Sequence, residues 1–170
     1  KNFRSAMKNK LLCCLLILNG FLSGALYASI DNALAKSNRL AETKKNEDAL
    51  NVLLDAAVKY PGNDKVNFNL GNIFYRLNNF DEAIQSYQQV IKIGQSRYLS
   101  EAFYNLGNAY YRQGKLQEAV AAYEKTLQLS PNDEDAKANL ELVKREIKRR
   151  LNEEKKRQEE IIDELQRTYL

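Results

Sequence analysis

One string of eight residues occurs twice in this chain, and its recurrence restricts the possible folds more than any other feature. Asn69-Leu70-Gly71-Asn72-Ile73-Phe74-Tyr75-Arg76 returns as Asn105-Leu106-Gly107-Asn108-Ala109-Tyr110-Tyr111-Arg112. The same marks follow each copy: Ala83 and Tyr87 after the first, Ala119 and Tyr123 after the second, and Pro131 closes the second. A repeat of this period is one supersecondary unit that cannot bury its apolar face alone and must stack on its neighbours. The residue types explain the spacing. Gly71 and Gly107 remove a side chain so that a second helix can approach closely. Leu70 and Leu106 fill the seam beside that contact, and Phe74 and Tyr110 follow one helical turn later. Ala83 and Ala119 are small faces on the second helix, and Tyr87 and Tyr123, four residues on, cover the same side.

The order Leu-Gly-x-x-aromatic, Ala-x-x-x-aromatic, Pro resembles the tetratricopeptide repeat, a helix–turn–helix unit of about 34 residues. The resemblance implies an all-α solenoid of about three repeats, closed by a capping helix with a charged helical extension. The expected divisions are a degenerate first repeat over 30–63, a second over 64–99, a third over 100–133, a cap over 134–150 and a charged tail over 151–170. In the first repeat Lys36-Ser37 stands where the family has Leu-Gly, and Leu53 takes the place of the later tyrosines. Tyr60-Pro61-Gly62-Asn63-Asp64 is a stop and restart. The second and third repeats are offset by two residues more than the family period. The excess is expected in Gly94–Leu99, with Gly94 ending the helix. Asn78-Asn79 and Gln113-Gly114-Lys115 read as turns within the pairs. Asn67 stands where the next copy has Phe103, so the second repeat lacks its first aromatic anchor. In the cap, Leu140 continues the pattern and Glu141 replaces the glycine, which suits a helix with a wettable outer face.

The formal net charge of +4 lies wholly in residues 1–28, which hold Lys1, Arg4, Lys8 and Lys10 and no acid. The remainder is balanced, and without a basic excess it is not expected to bind nucleic acid. The four bases precede an apolar run from Leu11 to Leu18 and small residues as far as Ala28. This segment reads as an export signal, cleaved after Ala25 or Ala28, or as an N-terminal anchor, with Met7 a possible true start. Membrane contact is expected through it alone, and the protein is expected to be periplasmic or held on the inner membrane facing the periplasm. Both cysteines, Cys13 and Cys14, fall in it, and the chain has no histidine. Thiol and imidazole nucleophiles and Cys/His zinc sites are therefore excluded from the repeats. No phosphate loop or catalytic carboxylate spacing appears either. The sequence predicts no enzyme, no cofactor and no metal.

If Leu70, Gly71 and Phe74 face the neighbouring helix, the opposite side of the first helix carries Asn69, Asn72 and Arg76 as one stripe. Asn105, Asn108 and Arg112 repeat it in register, with Tyr75 and Tyr111 alongside, and the cap adds Asn139. Asparagines can give and take hydrogen bonds with peptide amides, and arginines can capture carboxylates. The stripe is thus a candidate groove for an extended peptide or a partner protein. In the family, grooves that hold a C-terminal carboxylate place basic residues ahead of such asparagines. Here Phe68 and Tyr104, then Asp135 and Asn139, occupy those places, which disfavours that kind of receptor.

The run from Tyr104 to Glu146 also resembles the tetratricopeptide proteins of the bacterial aerotolerance (Bat) group. The resemblance lies in the Asn139-Leu140-Glu141-Leu142 cap after Pro131-Asn132-Asp133-Glu134-Asp135-Ala136. It implies a bacterial envelope scaffold working with von Willebrand A-domain membrane proteins and a MoxR-type ATPase. Two other readings stay open. Tyr75, Tyr104 and Tyr111 could stack on a cell-wall polysaccharide, or Ile161, Ile162 and Leu165 could seed a helical oligomerisation module, its seam interrupted at Glu154 and Gln158.

Overall fold

The structure, a computed structural model, describes residues 28–169. The export segment read from the sequence lies almost wholly outside them. A first helix, α1, runs through residues 28–42. It is followed by α2 (Asn46–Lys59), α3 (Asp64–Arg76), α4 (Phe80–Ile93), α5 (Leu99–Arg112), α6 (Leu116–Leu129) and α7 (Glu134–Tyr169). No strand occurs among the described residues. From α2 onward each helix packs on the next in chain order, which is the adjacency of a solenoid.

The breaks between helices have local causes. Lys44, Asn78 and Gly114 adopt positive φ in the turns inside the three pairs. Between pairs, Asn63 caps α3 by accepting from the Val66 amide at 3.1 Å, and Asp133 Oδ1 accepts from the Ala136 amide at 2.9 Å. Gly94 ends α4 in the left-handed region with φ 73°, so the excess residues follow it as expected. That longer loop is tied down: Ser96 Oγ donates to Asp64 Oδ2 at 2.7 Å.

Three apolar clusters form the core. Ile30 and Ala41 of α1 join Ala49, Leu53 and Ala56 of α2 and Val66, Leu70 and Ile73 of α3. The second cluster gathers Phe68, Ala83, Tyr87, Val90, Ala102 and Leu106. The third joins Leu116, Ala119 and Tyr123 to Leu140 and Val143 of the last helix. Full burial of a side chain of this size contributes about 1.5–3 kcal/mol, so Tyr87 and Tyr123, each 1% exposed, are principal anchors. The cap and the tail are one continuous helix of 36 residues, with no break at 150. Its buried residues end at Val143, Ile147 is partly covered, and every residue from Lys148 to Tyr169 is exposed.

Candidate functional site

Each second-helix tyrosine lies across the glycine of its own pair. A Cβ built on Gly71 would meet Tyr87 Cδ1 at 2.7 Å and Cζ at 2.8 Å; on Gly107 it would meet Tyr123 Cε1 at 2.7 Å. Beyond the glycine each hydroxyl reaches the next residue of the first helix. Tyr87 Oη donates to Asn72 Oδ1 at 2.8 Å, and Tyr123 Oη donates to Asn108 Oδ1 at 2.6 Å. Each of those oxygens accepts a second hydrogen bond from the following unit. Asn105 Nδ2 donates to Asn72 Oδ1 at 3.0 Å, and Asn139 Nδ2 donates to Asn108 Oδ1 at 3.1 Å. Asn139 Nδ2 also lies 3.1 Å from Tyr104 Oη. The asparagines therefore form a ladder that joins the second repeat to the third and the third to the cap.

This corrects part of the sequence reading. A carbonyl oxygen has two lone pairs, and both are used at Asn72 and at Asn108. Neither residue can offer its acceptor to a peptide amide while the ladder stands; their Nδ2 groups alone remain, making no bond among the described residues. Nor are they detached from the core, since they satisfy buried phenols. Other members of the stripe are also engaged. Asn69 Nδ2 donates to Lys65 O at 2.8 Å. Arg112 Nη2 donates to Asn78 Oδ1 at 3.0 Å, and its guanidinium lies over Phe80 at 4.8 Å and Tyr75 at 5.8 Å. Tyr75 packs edge-on against Phe80 at 5.5 Å, whereas Tyr111 is exposed. Phe68 stacks on Tyr98 at 4.8 Å, and the Tyr104 ring lies 5.9 Å from that of Tyr123. Two of the places that a carboxylate receptor would give to basic residues, those of Phe68 and Tyr104, serve packing here.

The ladder ends before the first repeat. Leu53 replaces the tyrosine there, and Asn69 turns its amide to its own helix, so Asn38 receives neither of the bonds that Asn72 and Asn108 receive. A cleft of about 270 Å³ lies at that end, lined by Asn38, Glu42, Asn69, Asn72 and Arg76, with Ala41 and Ile73 at its base. Arg76 makes no hydrogen bond or ion pair among the described residues. Asn69, Asn72 and Arg76 were legible as site residues; Asn38 and Glu42 were missed. The signal for both was the family period, since Asn38 and Glu42 stand 34 residues before Asn72 and Arg76. A second cleft, of about 320 Å³ between α1 and α2, contains none of the stripe. The described residues hold no group of His, Cys, Asp or Glu arranged to bind a metal, and none of their helices is long and apolar enough to cross a membrane.

Burial holds the Tyr87 hydroxyl well above the ordinary phenol value of 10.0, with the nearby Tyr75 adding to the rise. Burial does the same for Tyr123, helped by Tyr104. A phenol whose pKa is raised by folding contributes stability that is complete below its unfolded value and is lost as pH climbs toward its folded one. The array should therefore hold a constant urea midpoint up to about pH 10 and lose it steeply above. Circular dichroism across that range checks this; a flat profile to pH 12 would mean that the phenols are not buried in this way.

Two models of the tetratricopeptide repeat match the chain, one over residues 71–114 and the other over residues 100–133. Residues 71–133 are tetratricopeptide repeats. Solved structures of the same fold include the Sgt2 TPR domain from Aspergillus fumigatus, 22% identical over 72% of this chain and 82% of that one, with a TM-score of 0.66. The first TPR domain of human RPAP3 is 23% identical over 72% of this chain and 95% of its own, with a TM-score of 0.65. The second human RPAP3 TPR domain, in complex with the HSP70 peptide SGPTIEEVD, is 24% identical over 70% and 98%, with a TM-score of 0.64. No curated protein sequence matches the chain. The likenesses extend the repeat fold beyond the residues that the models match, in agreement with the packing of α1 and α7.

Proposed function

We propose that the chain is a non-enzymatic interaction scaffold of the bacterial cell envelope that takes an extended segment of a partner protein at the cleft between α1 and α3. The observation that supports this reading is the open end of the asparagine ladder. There both amide functions of Asn38 are uncommitted among the described residues, and Arg76 and Glu42 line the same cleft with opposite charges. An amide suits a peptide unit, the guanidinium suits a carboxylate, and Glu42 suits a cationic side chain. The best ligand is a strand carrying both signs. A domain of the same fold, the second TPR domain of human RPAP3, is solved in complex with the HSP70 peptide SGPTIEEVD.

The envelope assignment rests on the basic and apolar stretch over 1–28, and a Bat-type role on the likeness of Tyr104–Glu146. Under that role the partners are von Willebrand A-domain membrane proteins and a MoxR-type ATPase system. The test begins with a partner recovered by pull-down from envelope extract. Asn38→Ala combined with Arg76→Ala should weaken its binding at least about tenfold, because one neutral and one charged hydrogen bond are lost. The melting temperature should stay unchanged, since neither residue belongs to the ladder. Gln117→Ala, on α6 away from the cleft, is the neutral control. Full affinity in the double variant would remove the cleft from the binding surface.

A further inference from the structure

The helix face of α7 that packs on α6 does not stop where α6 stops. Its buried or partly covered residues are Ala136, Leu140, Val143 and Ile147. The same spacing continues through Leu151, Glu154, Gln158, Ile161 and Leu165, all exposed, with Leu151 at 67%. From Ile147 to Leu165 the steps are four, three, four, three and four residues, the alternation of a coiled-coil seam. Elsewhere the tail is held by its own ion pairs, Arg149 with Glu146 and Glu153, Arg150 with Glu146, and Arg157 with Glu154. Those pairs explain why the segment is helical; they do not explain apolar residues confined to one face.

We propose that this face pairs with the same face of a second copy of the chain, the two tails running antiparallel. The order of residues along the seam selects that arrangement. Antiparallel, with the crossing point near Lys156, Leu151 meets Ile161 of the second copy, and Glu154 meets Gln158. Leu165 reaches the half-covered Ile147. Apolar layers meet apolar layers and polar meet polar. Beside the seam Arg150 comes opposite Glu164 of the second copy. Lys155 and Arg157 each face their own equivalents across the symmetry axis, but both have intrahelical acids, Glu159 and Glu154. A parallel pair would set Glu154 against Glu154 inside the seam and Arg150 against Lys155 beside it, both repulsive. A second copy also supplies what α6 supplies further up, an apolar helix on the same stripe.

Light scattering and sedimentation of the full chain test this through the sign of one substitution. The wild type should be a dimer, and Ile161→Lys a monomer with unchanged helix content. Arg150→Glu places like charges opposite each other at two symmetric positions in the antiparallel pair, and should weaken the dimer by roughly three- to tenfold. Adding Glu164→Arg should restore it, which loss of the Arg150–Glu146 pair alone would not allow. A wild type that is monomeric at every concentration, or an Arg150→Glu variant that dimerises more tightly as parallel tails require, would overturn the proposal. So would failure of the charge exchange to recover affinity. Partner binding at the α1–α3 cleft is measured separately, so the two readings fail independently.

Discussion

Gly71→Ala should destabilise the array by about 2 kcal/mol, within the usual range for overpacking, although alanine is ordinarily the better helix former by about 1 kcal/mol. The sign is decided by Tyr87. The added methyl would lie within 2.7 Å of Cδ1 and 2.8 Å of Cζ, closer than any van der Waals contact allows. The ring has nowhere to go, since it is 1% exposed and its hydroxyl is held by Asn72. Gly107→Ala should cost somewhat less, because the same ring atoms of Tyr123 lie further off, Cδ1 at 2.9 Å and Cζ at 3.0 Å. The first repeat indicates the remedy. It places Ser37, 1% exposed, in the glycine position and Leu53 in the tyrosine position. Gly71→Ala with Tyr87→Leu should therefore recover part of the loss, even though Tyr87→Leu alone leaves a void. Urea midpoints of the four proteins decide it. A midpoint for Gly71→Ala at or above the wild type would mean that the helices are not seated as described.

Much of this was legible in the sequence because close approach leaves a mark that repeats. A glycine and a tyrosine at a fixed offset, twice, define which helix faces touch, and the positions of Gly94 and Gly114 define where helices end. The ladder was not legible in the same way. Asn72 and Asn108 lie beside the glycines, and periodicity assigns them to the outer face. Only the length of the tyrosine side chain, reaching over the glycine and past it, brings a donor to that face. The trace was present all the same: asparagine stands 15 residues before the tyrosine in both copies. In the first repeat the tyrosine is missing and Asn38 is left without its partner. The tail illustrates the opposite case. Its helical character was plain from charges at three- and four-residue spacing, and it extends the cap as one helix, because the change from buried to exposed does not interrupt the backbone.

Asn72→Ala should destabilise the repeats by about 2 kcal/mol, the cost of leaving a buried hydroxyl without an acceptor. Tyr87 is almost fully buried, so its hydroxyl loses the acceptor that the fold supplies. Asn105 loses the same acceptor, but it is half-buried and can reach solvent, so its share is smaller. Tyr87→Phe alone should cost about 1 kcal/mol, the ordinary net value of one hydrogen bond. The decisive protein is the combination. With phenylalanine present no hydroxyl remains to be stranded, so Asn72→Ala should then cost much less than it does in the wild type. The two changes should fall short of additivity by at least about 1 kcal/mol. The Asn108–Tyr123 pair, at 2.6 Å, should behave alike. Strictly additive losses at both pairs would mean that the hydroxyls find other partners and that the asparagines are not the rungs joining one repeat to the next. They would then be available to a ligand, as the sequence by itself suggests.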